Sequence, residues 1–303
     1  MAGMNKTYMG YLLTILSAMA FAAMSLFIKM AYDAGVSAWA FTLIQSSVSL
    51  VLLGFMWLRE APHPRVRHSV PTVGFFLACG VITAIAFNIA LVHLSMSLAT
   101  ILLFTYPAFT ALGAWLMLGH RPTRLHGGAL LLTLAGAVLT TNFTELRSGA
   151  ISLTGVGLAL LAAVAHGLYI VAGEKIAGKL TATSATTLTR VAILLGSLAL
   201  NPRVFAELPA VTWGGWLICV VAAAVSGVAP FLFLNRGIAL IGANRAAIAS
   251  VAELPFALAL GLLFQGDLIR PAQWAGAALI IAAVVVSQRQ SDGSYGKGPI
   301  PNT

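Results

Sequence analysis

Leu102-Leu-Phe-Thr-Tyr-Pro-Ala-Phe-Thr-Ala-Leu-Gly113 is an apolar stretch broken by a proline, and a second version of it returns as Ser250-Val-Ala-Glu-Leu-Pro-Phe-Ala-Leu-Ala-Leu-Gly261. Pro107 and Pro255 stand 148 residues apart, as do Gly113 and Gly261. Each proline lies inside an apolar run of about 20 residues, where it removes one helical hydrogen bond and frees the carbonyl four residues back. In the hydrocarbon of a bilayer such a break is tolerated only where other protein groups satisfy that carbonyl again. A fold that carries this break twice has a reason to gather polar groups around it.

The surroundings of both stretches are apolar throughout. Apolar residues make up 59% of the chain and charged residues 8%, with mean hydropathy +0.95. A soluble domain carries about 25% charge, so the composition is that of an all-α polytopic membrane protein. Cys79 and Cys219 each sit in an apolar run without CxxC spacing, which reads as buried inert thiols and not as a disulfide or metal site. The segment Met1–Thr7 has no small-residue cleavage site after the first apolar run, so that run reads as a retained span.

Ten apolar runs are expected to be helical, at roughly 8–31, 37–58, 71–92, 97–118, 125–142, 153–173, 182–200, 212–235, 244–264 and 272–288. With both termini in the cytoplasm, twelve lysines and arginines fall in inner segments and four in outer ones (Lys29, Arg147, Arg203 and Arg270). That is a strong positive-inside bias, and it accounts for the net charge of +9 without nucleic acid.

The chain reads as a duplication. Gly10, Leu13, Leu16, Ala18 and Ala20 match Gly155, Leu158, Leu161, Ala163 and Ala165 at an offset of 145 residues, Asn88 matches Asn235 at 147, and Gly128 matches Gly276 at 148. The first repeat is expected over 1–148 and the second over 149–290, with 291–303 a disordered cytoplasmic tail. Five spans per repeat is an odd number, so the second copy enters the membrane inverted, and inverted repeats place a substrate site near the midplane between the copies. Small residues recur every fourth position at Gly10, Thr14, Ala18 and Ala22, and again at Gly155, Ala159, Ala163 and Gly167. Such stripes let helices approach closely in lipid.

With Thr105-Tyr106-Pro107, Glu253-Leu254-Pro255 and Gly266-Asp267 followed by Trp274-Ala-Gly276-Ala, this two-times-five arrangement resembles the drug/metabolite transporter superfamily, EamA branch. Asp267 stands where that family usually has glutamate, and Gln45 where it often has arginine. Within the branch the chain is most similar to the bacterial YddG-type exporters of aromatic and other apolar amino acids. The resemblance implies a multi-pass protein of the bacterial inner membrane that exports small amphipathic metabolites by alternating access.

Arg190 and Glu253 are the two strongly ionisable residues deep inside spans. Counted at 1.5 Å rise per residue, both lie roughly 12–14 Å above the inner surface. A lone charge at that depth costs at least about 2.5 kcal/mol, so an Arg190–Glu253 intramembrane pair is the expectation. Their first-copy counterparts, Gln45 and Thr105, are both neutral. Phe21, Met24, Asn88, Tyr106, His166, Tyr169, Phe231 and Asn235 are the candidate substrate-binding residues, an apolar wall carrying few polar groups. Pro107, Pro230 and Pro255 are the candidate gating breaks.

The sequence holds no HExxH, P-loop, Gly-x-Ser-x-Gly or metal-ligand spacing, so no catalytic residue, metal or cofactor is expected and the chain reads as a non-enzyme. A single central arginine is too little for sugar phosphates. Neutral amino acids fit best. Efflux of organic cations through Glu253 is the alternative, and a receptor or structural membrane protein the alternative of another class. The partners expected are the lipid bilayer and a small-molecule substrate, with the protein read as a monomer and an oligomer left open.

Overall fold

The computed structural model describes residues 5–59, 70–94, 96–121, 123–140, 152–265 and 270–288. The expected tail at 291–303 and Asp267 lie outside the described residues. Thirteen α-helices run in order: α1 Lys6–Asp33, α2 Ala38–Arg59, α3 Val70–His93, α4 Met96–Leu103, α5 Tyr106–Leu118, α6 Arg124–Thr140, α7 Leu153–Ile176, α8 Ala182–Leu200, α9 Trp213–Ala222, α10 Ala229–Ile241, α11 Ala243–Ser250, α12 Glu253–Leu260 and α13 Pro271–Gln288. Among the described residues there is no β-strand, only an isolated bridge between Ala177 and Leu180. Polar caps begin several of the helices. Asn5, Ser152, Thr181 and Thr212 accept from the backbone N–H of Thr7, Gly155, Ser184 and Gly215, satisfying donors that a helix start leaves orphaned.

Eight helical segments are long and apolar enough to cross a bilayer: α1, α2, most of α3, α4 with α5, α7, α8, α9 through α10, and α11 with α12. The other two apolar helices are shorter, α6 at 17 and α13 at 18 residues. At 1.5 Å per residue α6 extends about 26 Å, slightly less than the hydrocarbon thickness of roughly 30 Å.

The helices pack in related pairs. α1 lies against α10 and α3 against α7; α12 lies against α1 and α5 against α7; α2 lies against α8, and α6 against α13. Exchanging the two halves of the chain carries each of these pairs into another or into itself. Glycines set the crossings. A Cβ at Gly10 would meet Ile241, one at Gly155 would meet Leu94, and Gly136 and Gly276 face each other's backbone carbonyls. The stripe residues Ala18, Ala22, Ala159 and Ala163 are all buried at these interfaces. With no hydrophobic drive between helices in lipid, close backbone approach is what holds them together.

The buried core is not evenly spread. Toward the end that holds the start of α1, the largest apolar cluster joins Tyr11, Phe76, Ile170, Leu234, Ile238 and Ala247 from both halves, with two small ones beside it, Leu53 with Val228 and Leu232, and Ala129 with Ile248 and Ala283. Toward the opposite end the buried residues separate into two clusters. One is built on Ala31, Phe41, Val204 and Cys219, the other on Ala90, Leu94, Ala99 and Ala159. Cys79 and Cys219 are buried and unbonded.

Candidate functional site

Both broken stretches interrupt their helices just before the proline. Phe104 and Thr105 separate α4 from α5, and Val251 and Ala252 separate α11 from α12. Pro107 and Pro255 therefore fall in the first turn of the second half-helix, where a missing N–H costs nothing. The breaks are closed locally: Thr105 donates its hydroxyl to the Leu102 carbonyl at 2.6 Å, and the Leu254 N–H reaches the Val251 carbonyl that Pro255 frees, at 3.0 Å. Tyr106, the first residue of α5, donates its hydroxyl to the Ala247 carbonyl of α11 at 3.2 Å, tying one broken helix to the other. Glu253 opens α12 within electrostatic reach of that tyrosine.

From Tyr106 a line of rings runs through the middle of the bundle. His166 meets Tyr106 edge-on at 4.6 Å between centroids and lies parallel to Tyr169 at 6.2 Å. Tyr169 is stacked on Phe76 at 4.4 Å. Beyond Tyr169 stands Arg190, whose guanidinium carbon is 4.4 Å from the centre of the Phe231 ring; Phe231 in turn meets Phe21 edge-on at 5.2 Å. Gly167 makes this arrangement possible. A Cβ there would come within 2.8 Å of the Thr110 nitrogen and 2.9 Å of the Tyr106 carbonyl oxygen, so α7 and the start of α5 touch backbone to backbone.

Pro230 contributes through its missing hydrogen bond. A π-helical turn, Ala223–Val228, precedes it. The carbonyl four residues before Pro230 is that of Ser226, and it accepts from Arg190 Nη2 at 3.4 Å. The Ser226 hydroxyl accepts from Gln45 Nε2 at 3.1 Å. The π-turn thus stands between Arg190 and its first-copy counterpart. Widened turns of this kind gather at functional sites.

The expected ion pair does not form. Among the described residues no ion pair joins Arg190 to Glu253, and Arg190 turns to Ser226 and Phe231 instead. Residue count puts the two at matching heights, but their helices are not neighbours: α8 packs among α2, α3 and α10, whereas α12 packs on α1 and α6. Depth follows from residue count, and adjacency does not. Acid and base therefore stay apart along the ring line, Glu253 beside Tyr106 and Arg190 between Tyr169 and Phe231.

Of the other sequence candidates, Phe21, Tyr106, His166, Tyr169 and Phe231 come together in that line. Asn235 donates to Thr186 at 3.2 Å on its flank. Met24 and Asn88 are half-buried, and neither makes a hydrogen bond or ring contact with the group among the described residues. Phe76 and Ser226 were missed. Phe76 gave no signal beyond being one more aromatic. Ser226 was legible in principle, since it stands four residues before Pro230.

A second polar junction lies where α5, α7 and α11 meet. Glu174 accepts the Ala243 N–H that starts α11 at 2.5 Å and pairs with His120 at 3.5 Å. Gly242, at φ +78°, makes the turn that brings this N–H to the carboxylate. A Cβ on Gly242 would lie 3.2 Å from Glu174 Oε2 in a backbone conformation that side chains rarely adopt.

Two matching sets of apolar helices, each with one broken segment, define an all-helical multi-pass membrane protein. The sequence matches the EamA-like transporter family over residues 8–142 and again over 153–288, and the chain belongs to that family, part of the drug/metabolite transporter superfamily. It is similar to the uncharacterized transporter sll1319 of Synechocystis sp., 25% identical over 300 residues that cover 87% of this chain and 88% of that protein. A protein of known crystal structure shares the fold at TM-score 0.75 and 16% identity, over 92% of this chain and 96% of its own. The protein is a membrane transporter.

Proposed function

We propose that the protein exports neutral amino acids with aromatic or other apolar side chains across the bacterial inner membrane, in the manner of the YddG-type exporters. The observation that carries this reading is the ring line with an acid at one end and a base farther along, not paired with each other among the described residues. A zwitterion with an apolar side chain needs an anionic partner, a cationic partner and an aromatic wall beside them. Glu253 faces the amine, Arg190 the carboxylate, and Phe21, Tyr106, His166, Tyr169 and Phe231 the side chain. Organic cations would use Glu253 alone and leave Arg190 without purpose.

The ten apolar helices form two inverted five-helix repeats with both termini cytoplasmic, and the protein is not an enzyme and works as a monomer. The large apolar cluster that joins both halves at the end holding the start of α1 is the closed cytoplasmic side. The two separate clusters opposite are the arms of an outward-facing state. Pro107, Pro230 and Pro255 mark the segments that bend as the state reverses. Counterflow in proteoliposomes tests the substrate. Labelled phenylalanine or leucine is expected to exchange at two imposed pH gradients. Uptake that ignores every amino acid and follows a cationic dye would replace this reading with cation efflux.

A further inference from the structure

Arg190 and Tyr169 are buried more deeply than their chemistry warrants. Arg190 is 3% and Tyr169 2% exposed, and among the described residues the Arg190 Nε and the Tyr169 hydroxyl have no hydrogen-bond partner. Leaving one such group unsatisfied in a dry interior is costly, and here two lie within electrostatic reach of each other. Thr189 and Asn235 flank the Tyr169 hydroxyl and keep acceptor oxygens, but neither reaches hydrogen-bond geometry with it. Thr189 donates its hydroxyl to the Ala185 carbonyl at 2.9 Å, and Asn235 gives its amide to Thr186 at 3.2 Å. The one hydrogen bond Arg190 makes, to the Ser226 carbonyl, is long at 3.4 Å, and the face of Phe231 supplies the rest.

Both groups are also held in place. Tyr169 is clamped between the Phe76 ring and Gly80, where an added Cβ would lie 3.4 Å from its ring. Arg190 is fixed by Ser226, itself held by Gln45. A guanidinium edge and a phenol hydroxyl are both donors, which is what the two oxygens of a carboxylate require.

The geometry points to a carboxylate-binding subsite formed by the Arg190 guanidinium and the Tyr169 hydroxyl, capped in this conformation by the Phe231 ring. The acid group of the ligand displaces Phe231 from Arg190 and accepts from both residues. Phe21, edge-on to Phe231, moves with it, so binding at this subsite is tied to rearrangement of α1 against α10. The identity of the carboxylate as an amino acid's rests on the proposed export activity; the subsite itself does not.

Binding to the purified full-length protein tests it, by thermal stabilisation with three probes: phenylalanine, 3-phenylpropionate, which keeps only the acid, and phenethylamine, which keeps only the amine. Tyr169→Phe preserves the stack on Phe76 and removes only the hydroxyl. It is expected to weaken both acid-bearing probes by on the order of tenfold and leave phenethylamine unchanged. Arg190→Gln is expected to do the same more strongly, and Arg190→Lys to recover part of the acid binding. Acid probes that bind Tyr169→Phe as tightly as wild type, or wild type that binds no acid-bearing probe, would overturn the subsite. So would an equal loss of phenethylamine. Wild type that binds 3-phenylpropionate in a Tyr169-dependent way but ignores phenylalanine would retain the subsite and discard the amino-acid reading.

Discussion

Gly167→Ala is the sharpest perturbation of the central geometry, because the added methyl meets backbone and not a side chain that can rotate away. The new Cβ would stand 2.8 Å from the Thr110 nitrogen, 2.9 Å from the Tyr106 carbonyl oxygen and 3.0 Å from the Phe109 Cβ. Ordinary contacts begin near 3.4 Å, so α7 and the start of α5 must part by about 0.6 Å. The Thr110 hydroxyl, already 3.4 Å from the Gly167 carbonyl, loses that contact, and the Tyr106 bond to Ala247 at 3.2 Å is stretched. Forcing a methyl into a packed interface costs roughly 1–3 kcal/mol. The control is on the same helix: Gly157 has nothing within 4 Å of an added Cβ, and alanine there removes only the helix penalty of glycine, about 1 kcal/mol in favour of the variant. Thermal unfolding in detergent should therefore place Gly167→Ala several degrees below Gly157→Ala, with transport reduced in the first and retained in the second. Equal stability and equal transport in the two variants would refute the backbone contact between α7 and α5, and with it the placement of His166 against Tyr106.

Two further outcomes follow from the polar groups. Because Arg190 and Glu253 do not meet, the variants Glu253→Gln and Arg190→Gln should be additive in stability to within about 0.5 kcal/mol, and Glu253→Gln should fold normally; a coupling well above about 1 kcal/mol in the double-mutant cycle would mean that the pair exists after all. Glu174→Ala removes the acceptor for the Ala243 N–H and the partner of His120 at the end holding the start of α1. It should loosen that closure by about 1–3 kcal/mol, read as faster hydrogen exchange of the α11 amides, while Glu207→Ala, which loses only the hydrogen bond from Ser37 at the other end, should leave those amides unchanged.

Much of this protein is written along its one-dimensional sequence. Apolar run length marks the helices, lysine and arginine placement argues for their direction, and matched residues at offsets of 145–148 show the duplication. Proline locates the interruptions to within about four residues, because a missing N–H acts locally wherever the chain goes. The rings of Tyr106, His166 and Tyr169 could be nominated for the same reason: they sit beside a break or on the helix that crosses it. What pairs with what was another matter. The rise per residue placed Arg190 and Glu253 at one height, but only the packing of α8 on α2, α3 and α10, and of α12 on α1 and α6, decided that they face different neighbours. The carbonyl Pro230 frees was knowable; that Arg190 would take it was not, since that depends on the rotation of α8 about its own axis against the π-turn. Axial position is a property of sequence, whereas azimuth and neighbour are properties of how a whole bundle settles its small-residue contacts. For this transporter the difference separates a buried ion pair from an acid and a base that keep separate neighbours.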